Sequence, residues 1–80
     1  MDDYLAKLKK VIAEKAAVEP TDVKLESYFE DDLNMGEMEL MELFDEVEEK
    51  FAVELTEDDR DACMTVEDLI DLLVEKLDWA

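Results

Sequence analysis

The feature that most narrows what this chain can fold into lies at residues 37–51, Glu-Met-Glu-Leu-Met-Glu-Leu-Phe-Asp-Glu-Val-Glu-Glu-Lys-Phe. At about 100° per residue, Leu40, Leu43, Phe44, Val47 and Phe51 fall together on one side, the spacing of a core-facing helical stripe. Met38 and Met41 lie opposite that stripe, among Glu42, Asp45, Glu48 and Glu49. Two apolar side chains inside a field of carboxylates mark a docking surface. Isolated exposed methionines need no function in general. Methionine also adapts to varied partners, which favours docking for this pair.

The rest of the chain supplies further helices. The spacing predicts a first helix from Asp2 to Ala17, with Tyr4, Leu5, Leu8, Val11 and Ile12 buried and Lys7, Lys9 and Lys10 in water. Asp2 and Asp3 sit well at the positive end of its dipole, and Pro20 forbids simple continuation. Glu19 to Gly36 is a long connection in which Val23, Leu25, Tyr28, Phe29 and Leu33 recur as apolar anchors, with one helical turn beginning near Thr21. Asn34 and Gly36 give permissive backbone before the central helix. After the short crossing Ala52 to Leu55, Thr56 with Glu57, Asp58 and Asp59 reads as a capping box for a short helix ending near Ala62. Thr65 with Asp68 repeats the signal for a last helix, Val66 to Leu77. Its stripe is Val66, Leu69, Ile70, Leu73 and Leu77, with Leu72 off it. One Gly and one Pro in 80 residues argue against a turn-rich all-β fold. The expectation is one all-α domain over residues 1–80.

Charge narrows the function. The net charge is −18. Residues 1–24 hold five Lys and five acidic residues, so the three basic and 21 acidic residues of 25–80 carry the whole imbalance. Such a field repels nucleic acid and anionic membrane and speeds encounter with basic protein surfaces. A single Cys, no signal-like N-terminus and no long apolar run point to a soluble protein of the reducing cytoplasm, and a monomer is expected.

Catalytic chemistry has little to work with. The chain has no His, removing the commonest general base and metal ligand. Cys63 has no His partner and precedes a helix in an apolar setting, the position of a core thiol. Asp31, Gly36 and Glu42 stand at positions one, six and twelve of a calcium loop, but Leu33 and Met35 at positions three and five offer no oxygen. No enzyme and no dedicated metal site are expected, although the acidic face suits loose divalent binding.

The order Asp32-Leu33, four residues, Met38-Glu39-Leu40-Met41-Glu42-Leu43 and Glu48-Glu49-Lys50-Phe51 resembles the second-helix region of acyl carrier proteins. Val18, Val23, Phe29, Leu33 and Thr65-Val66 continue the resemblance without a gap over essentially the whole chain. It implies a four-helix bundle with a long first loop and a short third helix. It departs at Asn34, Met35, Gly36, Glu37 and Asp45. Glu37 stands where the family has the serine that carries 4'-phosphopantetheine, Gly36 where it has Asp, and Met38 where it has Leu. Glutamate has no hydroxyl to form the phosphodiester, and it suits the first turn of a helix. Ser27, the chain's only serine, lies ten residues earlier in the loop, where bonding to nearby backbone is its expected role.

The resemblance therefore implies a carrier-like docking or regulatory module without its own prosthetic group, working with basic-surfaced enzymes or regulators of fatty-acid, polyketide or related thioester pathways. Contact roles follow for Met38, Glu39, Met41, Glu42, Glu48, Leu55 and Glu57. Two alternatives remain. One is a genuine carrier whose serine was replaced by Glu37, with 4'-phosphopantetheine as cofactor only in that case. The other is an acidic inhibitor or mimic unrelated to acyl chemistry.

Overall fold

The computed structural model describes residues 2–77, with side chains from Tyr4 onward. The dipole role expected of Asp2 and Asp3 thus falls on side chains outside the described set. Four helices follow one another: α1 (Asp2–Ala16), α2 (Glu37–Phe51), α3 (Glu57–Ala62) and α4 (Val66–Leu77), with a 3₁₀ turn at Pro20–Asp22. The only strand-like pairing among the described residues is an isolated bridge between Tyr28 and Thr65. The fold is the all-α four-helix bundle expected from the apolar periodicity and the family resemblance, and the boundaries of α2, α3 and α4 match those read from the chain.

Each helix contributes its stripe to one core. Leu8, Val11, Ile12 and Ala13 come from α1, Leu43, Phe44, Val47 and Phe51 from α2, and Val66, Leu69 and Leu73 from α4. Leu40, Ile70 and Leu77 pack partly buried at its edge. The N-terminal end of the α1 stripe departs from expectation. Tyr4 is exposed and Leu5 half-buried, with the Tyr4 ring 5.9 Å from that of Phe51. Lys7 joins this contact, its ammonium 5.1 Å from the centre of the Phe51 ring and donating to the Lys50 carbonyl at the end of α2.

With one glycine in the chain, α1 and α2 close on alanine. Ala17 (φ 59°) and Ala52 (φ 53°) adopt the left-handed conformation. That lets Val18 N–H reach the Ala13 carbonyl and Val53 N–H the Glu48 carbonyl, so carbonyls left over by the helix ends are satisfied. An L-residue there costs roughly 1 kcal/mol that glycine would avoid.

The long connection is fastened chiefly through its backbone. Phe29 N–H donates to the Met64 carbonyl, Val66 N–H to the Ser27 carbonyl and Glu67 N–H to the Leu25 carbonyl. The loop thereby serves donors at the start of α4. Val23, Phe29 and Leu33 are buried as expected, and Met35, which the apolar pattern did not single out, joins them. Leu25 and Tyr28 correct the expectation: both side chains are exposed. The Leu25 carbonyl is held by the Glu67 N–H at the start of α4, while Tyr28 donates its N–H to Asp32 Oδ2 and its carbonyl accepts from the Asp32 and Leu33 N–H groups. Ser27 is buried, with its Oγ accepting the Lys24 N–H at 3.1 Å, the local backbone role expected of it.

Candidate functional site

The start of α2 is built around Gly36. Its φ of −84° is ordinary extended backbone, so the glycine is not required by conformation. Its N–H donates to Glu39 Oε1 at 2.9 Å, one half of a capping box whose other half glycine cannot supply. A Cβ at this position would stand 2.8 Å from that same oxygen, the far end of a flexible side chain that can swing away. Glu37 is the first residue of α2 and is exposed. Its carboxylate therefore sits in water beside the positive end of the helix dipole.

Beside Glu37, α2, α3 and the long loop enclose an open groove of about 650 Å³. Its buried part is formed by Phe29, Phe44 and Cys63, with half-buried Leu40. Phe29 and Phe44 meet edge to face, ring centroids 6.3 Å apart. Exposed Tyr28, Met41 and Met64 continue the apolar lining outward, while Glu30, Asp31, Glu37, Glu57 and Asp61 ring it with negative charge. The groove thus has an apolar floor and an acidic rim. Sequence periodicity had no means of finding Met64 here, since it lies between α3 and α4 in neither stripe.

Burial pushes the Cys63 thiol up to about 11, with Asp68 and Asp59 adding to the effect. It stays a neutral thiol at physiological pH and has the character of a packing residue. Among the described residues, no group of three or more acidic, Cys or His side chains converges as a cation site. No described helix is long and apolar enough to cross a membrane.

The expected contact residues separate into two groups. Met38 (72% exposed), Met41 (55% exposed), Glu39, Glu42 and Glu57 all present themselves to solvent. Met41 and Glu57 border the groove, whereas Glu42 faces a shallower hollow of about 500 Å³ with Lys15, Asp45, Glu46, Glu49 and Lys50. Leu55 and Glu48 are engaged within the fold. Leu55 is only 5% exposed, so its side chain belongs to the core and not to a contact surface. Its N–H donates to Glu48 Oε2 at 2.7 Å, and Arg60 donates to Glu48 Oε1 at 2.7 Å and to Asp45 Oδ1 at 3.0 Å. Helical spacing places Glu48 on the acidic side, but it cannot foresee that an arginine twelve residues later will claim it.

A family model described as a phosphopantetheine attachment site matches residues 6–73. The acyl carrier protein of Chlamydia trachomatis serovar D is 42% identical over 69 residues, covering 86% of this chain and 90% of the relative. Acyl carrier protein 2 of Pseudomonas aeruginosa is 36% identical over 75 residues, 94% of this chain and 95% of the relative. The chain belongs to the acyl carrier protein family. Proteins of this family are carriers and not enzymes, and they work with biosynthetic enzymes that act on what they carry. The expectation of an acidic mimic unrelated to acyl chemistry has no support in these relationships. The prosthetic group usual in the family is 4'-phosphopantetheine. Glu37, exposed in the first turn of α2, is a carboxylate and has no hydroxyl with which to form a phosphodiester.

Proposed function

We propose that this fold serves thioester pathways as an acyl carrier scaffold, and that the chain with Glu37 is its unloaded form, able to dock but carrying no arm. The observation that carries the reading is Glu37 itself: exposed, first in α2, at the rim of the groove and one turn from Met41. The surrounding surface is retained while the one attachment hydroxyl is absent. On this reading residues 1–80 act as one cytoplasmic domain. Its partners are carrier-dependent enzymes or regulators whose basic surfaces meet Glu39, Glu42 and Glu57 around the two exposed methionines. Charge at the rim governs encounter, and the apolar centre governs how long the complex lasts.

A second reading, a genuine carrier in which glutamate has replaced a native serine at position 37, is favoured by the relatives, which are named acyl carrier proteins. Sequencing the natural gene at that codon separates the two. Biochemically, incubation with coenzyme A and a permissive phosphopantetheinyl transferase is expected to leave the intact mass unchanged. Glu37→Ser is expected to gain one phosphopantetheine. A gain on the unaltered chain overturns the unloaded reading and points to Ser27. A folded Glu37→Ser chain that is never modified means that Gly36, in place of the family's Asp, has removed recognition as well.

A further inference from the structure

Methionine dominates the exposed apolar surface. Met38 (72% exposed), Met64 (61%) and Met41 (55%) are the most exposed large apolar side chains among the described residues, ahead of Tyr28 at 49%. Met41 on α2 and Met64 between α3 and α4 line the same groove. Met38 precedes Met41 by three residues, which makes the two neighbours on the surface of α2. Leucine would cover much the same area. What methionine adds is chemistry, because its thioether is open to a mild oxidant and its sulfoxide is polar. The other sulfur side chains among the described residues are withdrawn. Met35 is 3% exposed and Cys63 8%. The Cys63 thiol, pushed up to about 11 by burial, supplies little of the thiolate that peroxide attacks.

We propose that Met38, Met41 and Met64 form a reversible oxidation site, whose conversion to sulfoxide by hydrogen peroxide turns the apolar lip of the groove polar. In the step, a lone pair of each Sδ attacks one peroxide oxygen, so that an S–O bond forms and the O–O bond breaks. The bond pair leaves on the other oxygen, which takes the proton of the transferred one and departs as water. Sulfur is oxidised by two electrons and the peroxide is reduced by two. Hydrogen peroxide is uncharged, so the acidic rim does not repel it. Methionine sulfoxide reductases reverse the step with a dithiol, the oxygen leaving as water and the dithiol closing to a disulfide. A sulfoxide in the middle of a contact brings an acceptor that must find a donor or stay unpaired. Oxidation thereby weakens docking. Only that last effect rests on the function proposed above; the oxidation site is a property of the isolated chain.

The test is a hydrogen peroxide time course on the full chain, mapped by mass after cleavage at glutamate, which puts Met35, Met38 and Met41 in separate peptides. Met38, Met41 and Met64 are expected to oxidise at least about tenfold faster than Met35, with Cys63 still reduced. Helical circular dichroism is expected to stay unchanged while retention on a hydrophobic-interaction column falls. The two reductases, one for each sulfoxide epimer, are expected to restore that retention with dithiothreitol. A chain carrying Met38→Leu, Met41→Leu and Met64→Leu is expected to keep its own retention through the same treatment. Oxidation of Met35 or Cys63 at a comparable rate overturns the site. So does loss of helix, which is unfolding and not surface chemistry. Retention that does not fall, that the reductases fail to restore, or that falls equally in the leucine variant overturns the polarity change at these three residues.

Docking is read with phosphopantetheinyl transferase and coenzyme A on Glu37→Ser, with Gly36→Asp added if the single variant is not modified. At sub-saturating carrier, the transfer rate is expected to fall about tenfold on oxidation, the scale of one unpaired polar group in a contact, and to recover with the reductases. A rate that oxidation leaves unchanged overturns the effect on docking, while the carrier role stands. Transfer to neither variant in the reduced state overturns the carrier role and the effect on docking together, while the mapped oxidation site stands.

Discussion

The long connection before α2 and the short helix α3 make opposite use of regular structure. Apart from its 3₁₀ turn the connection is irregular, yet it buries Val23, Phe29, Leu33 and Met35 and is bonded through its backbone to the start of α4. α3 is a regular helix with no buried residue, capped reciprocally by Thr56 and Asp59 and joined to its neighbours by Arg60 and Lys76. Helical hydrogen bonds shape a segment; burial and paired backbone groups attach it to the rest. The irregular segment is the anchored one.

Phe29→Ala is the strongest way to break that comparison. A 1% exposed ring packed edge to face on Phe44 is removed from the loop, and a loss of about 3–5 kcal/mol is expected from denaturant unfolding. A loss below about 1 kcal/mol would show that the loop merely rests on the bundle.

Asp68→Ala attacks the junction where the connection meets α4. Asp68 Oδ2 accepts both the Met64 and the Thr65 N–H, bonds that hold its carboxyl below the usual carboxylate range. Because the folded value lies below the unfolded one, this stability is present above the ordinary carboxylate range and is lost as pH falls through the folded value. The variant should therefore be less stable by roughly 1 kcal/mol at neutral pH. In strong acid the two proteins should converge, as thermal melts at both pH values would reveal.

Arg60→Gln sharpens the α3 side. The pairs it makes are partly exposed, so global unfolding should change by less than about 1 kcal/mol even as α3 itself loosens. A loss well above that would make α3 part of the core unit. Tyr28→Ala, next to Phe29 in sequence, is the smallest expected effect. Its side chain is 49% exposed, and stability should stay within about 0.5 kcal/mol of the parent.

Much of the helical fold is readable along the chain because its signals are local. The stripe Leu43, Phe44, Val47 and Phe51 repeats with the helical period, and Thr56 and Thr65 each stand three residues before a carboxylate that completes a cap. Glu37 at the head of α2 is legible for the same reason. In the irregular segments legibility was partial. Val23, Phe29 and Leu33 turn inward as their hydrophobicity suggests, and Leu25 and Tyr28 turn outward against it. Met35 and Leu55, the one not singled out and the other given a contact role by the resemblance, are buried. No period links side-chain direction to position in a loop, so contacts with distant elements set it. The groove, and the bond that joins Arg60 to Glu48 across twelve residues, belong to this second kind. Both depend on where α3 comes to rest against α2, and that placement is decided by packing and charge between elements far apart in the chain.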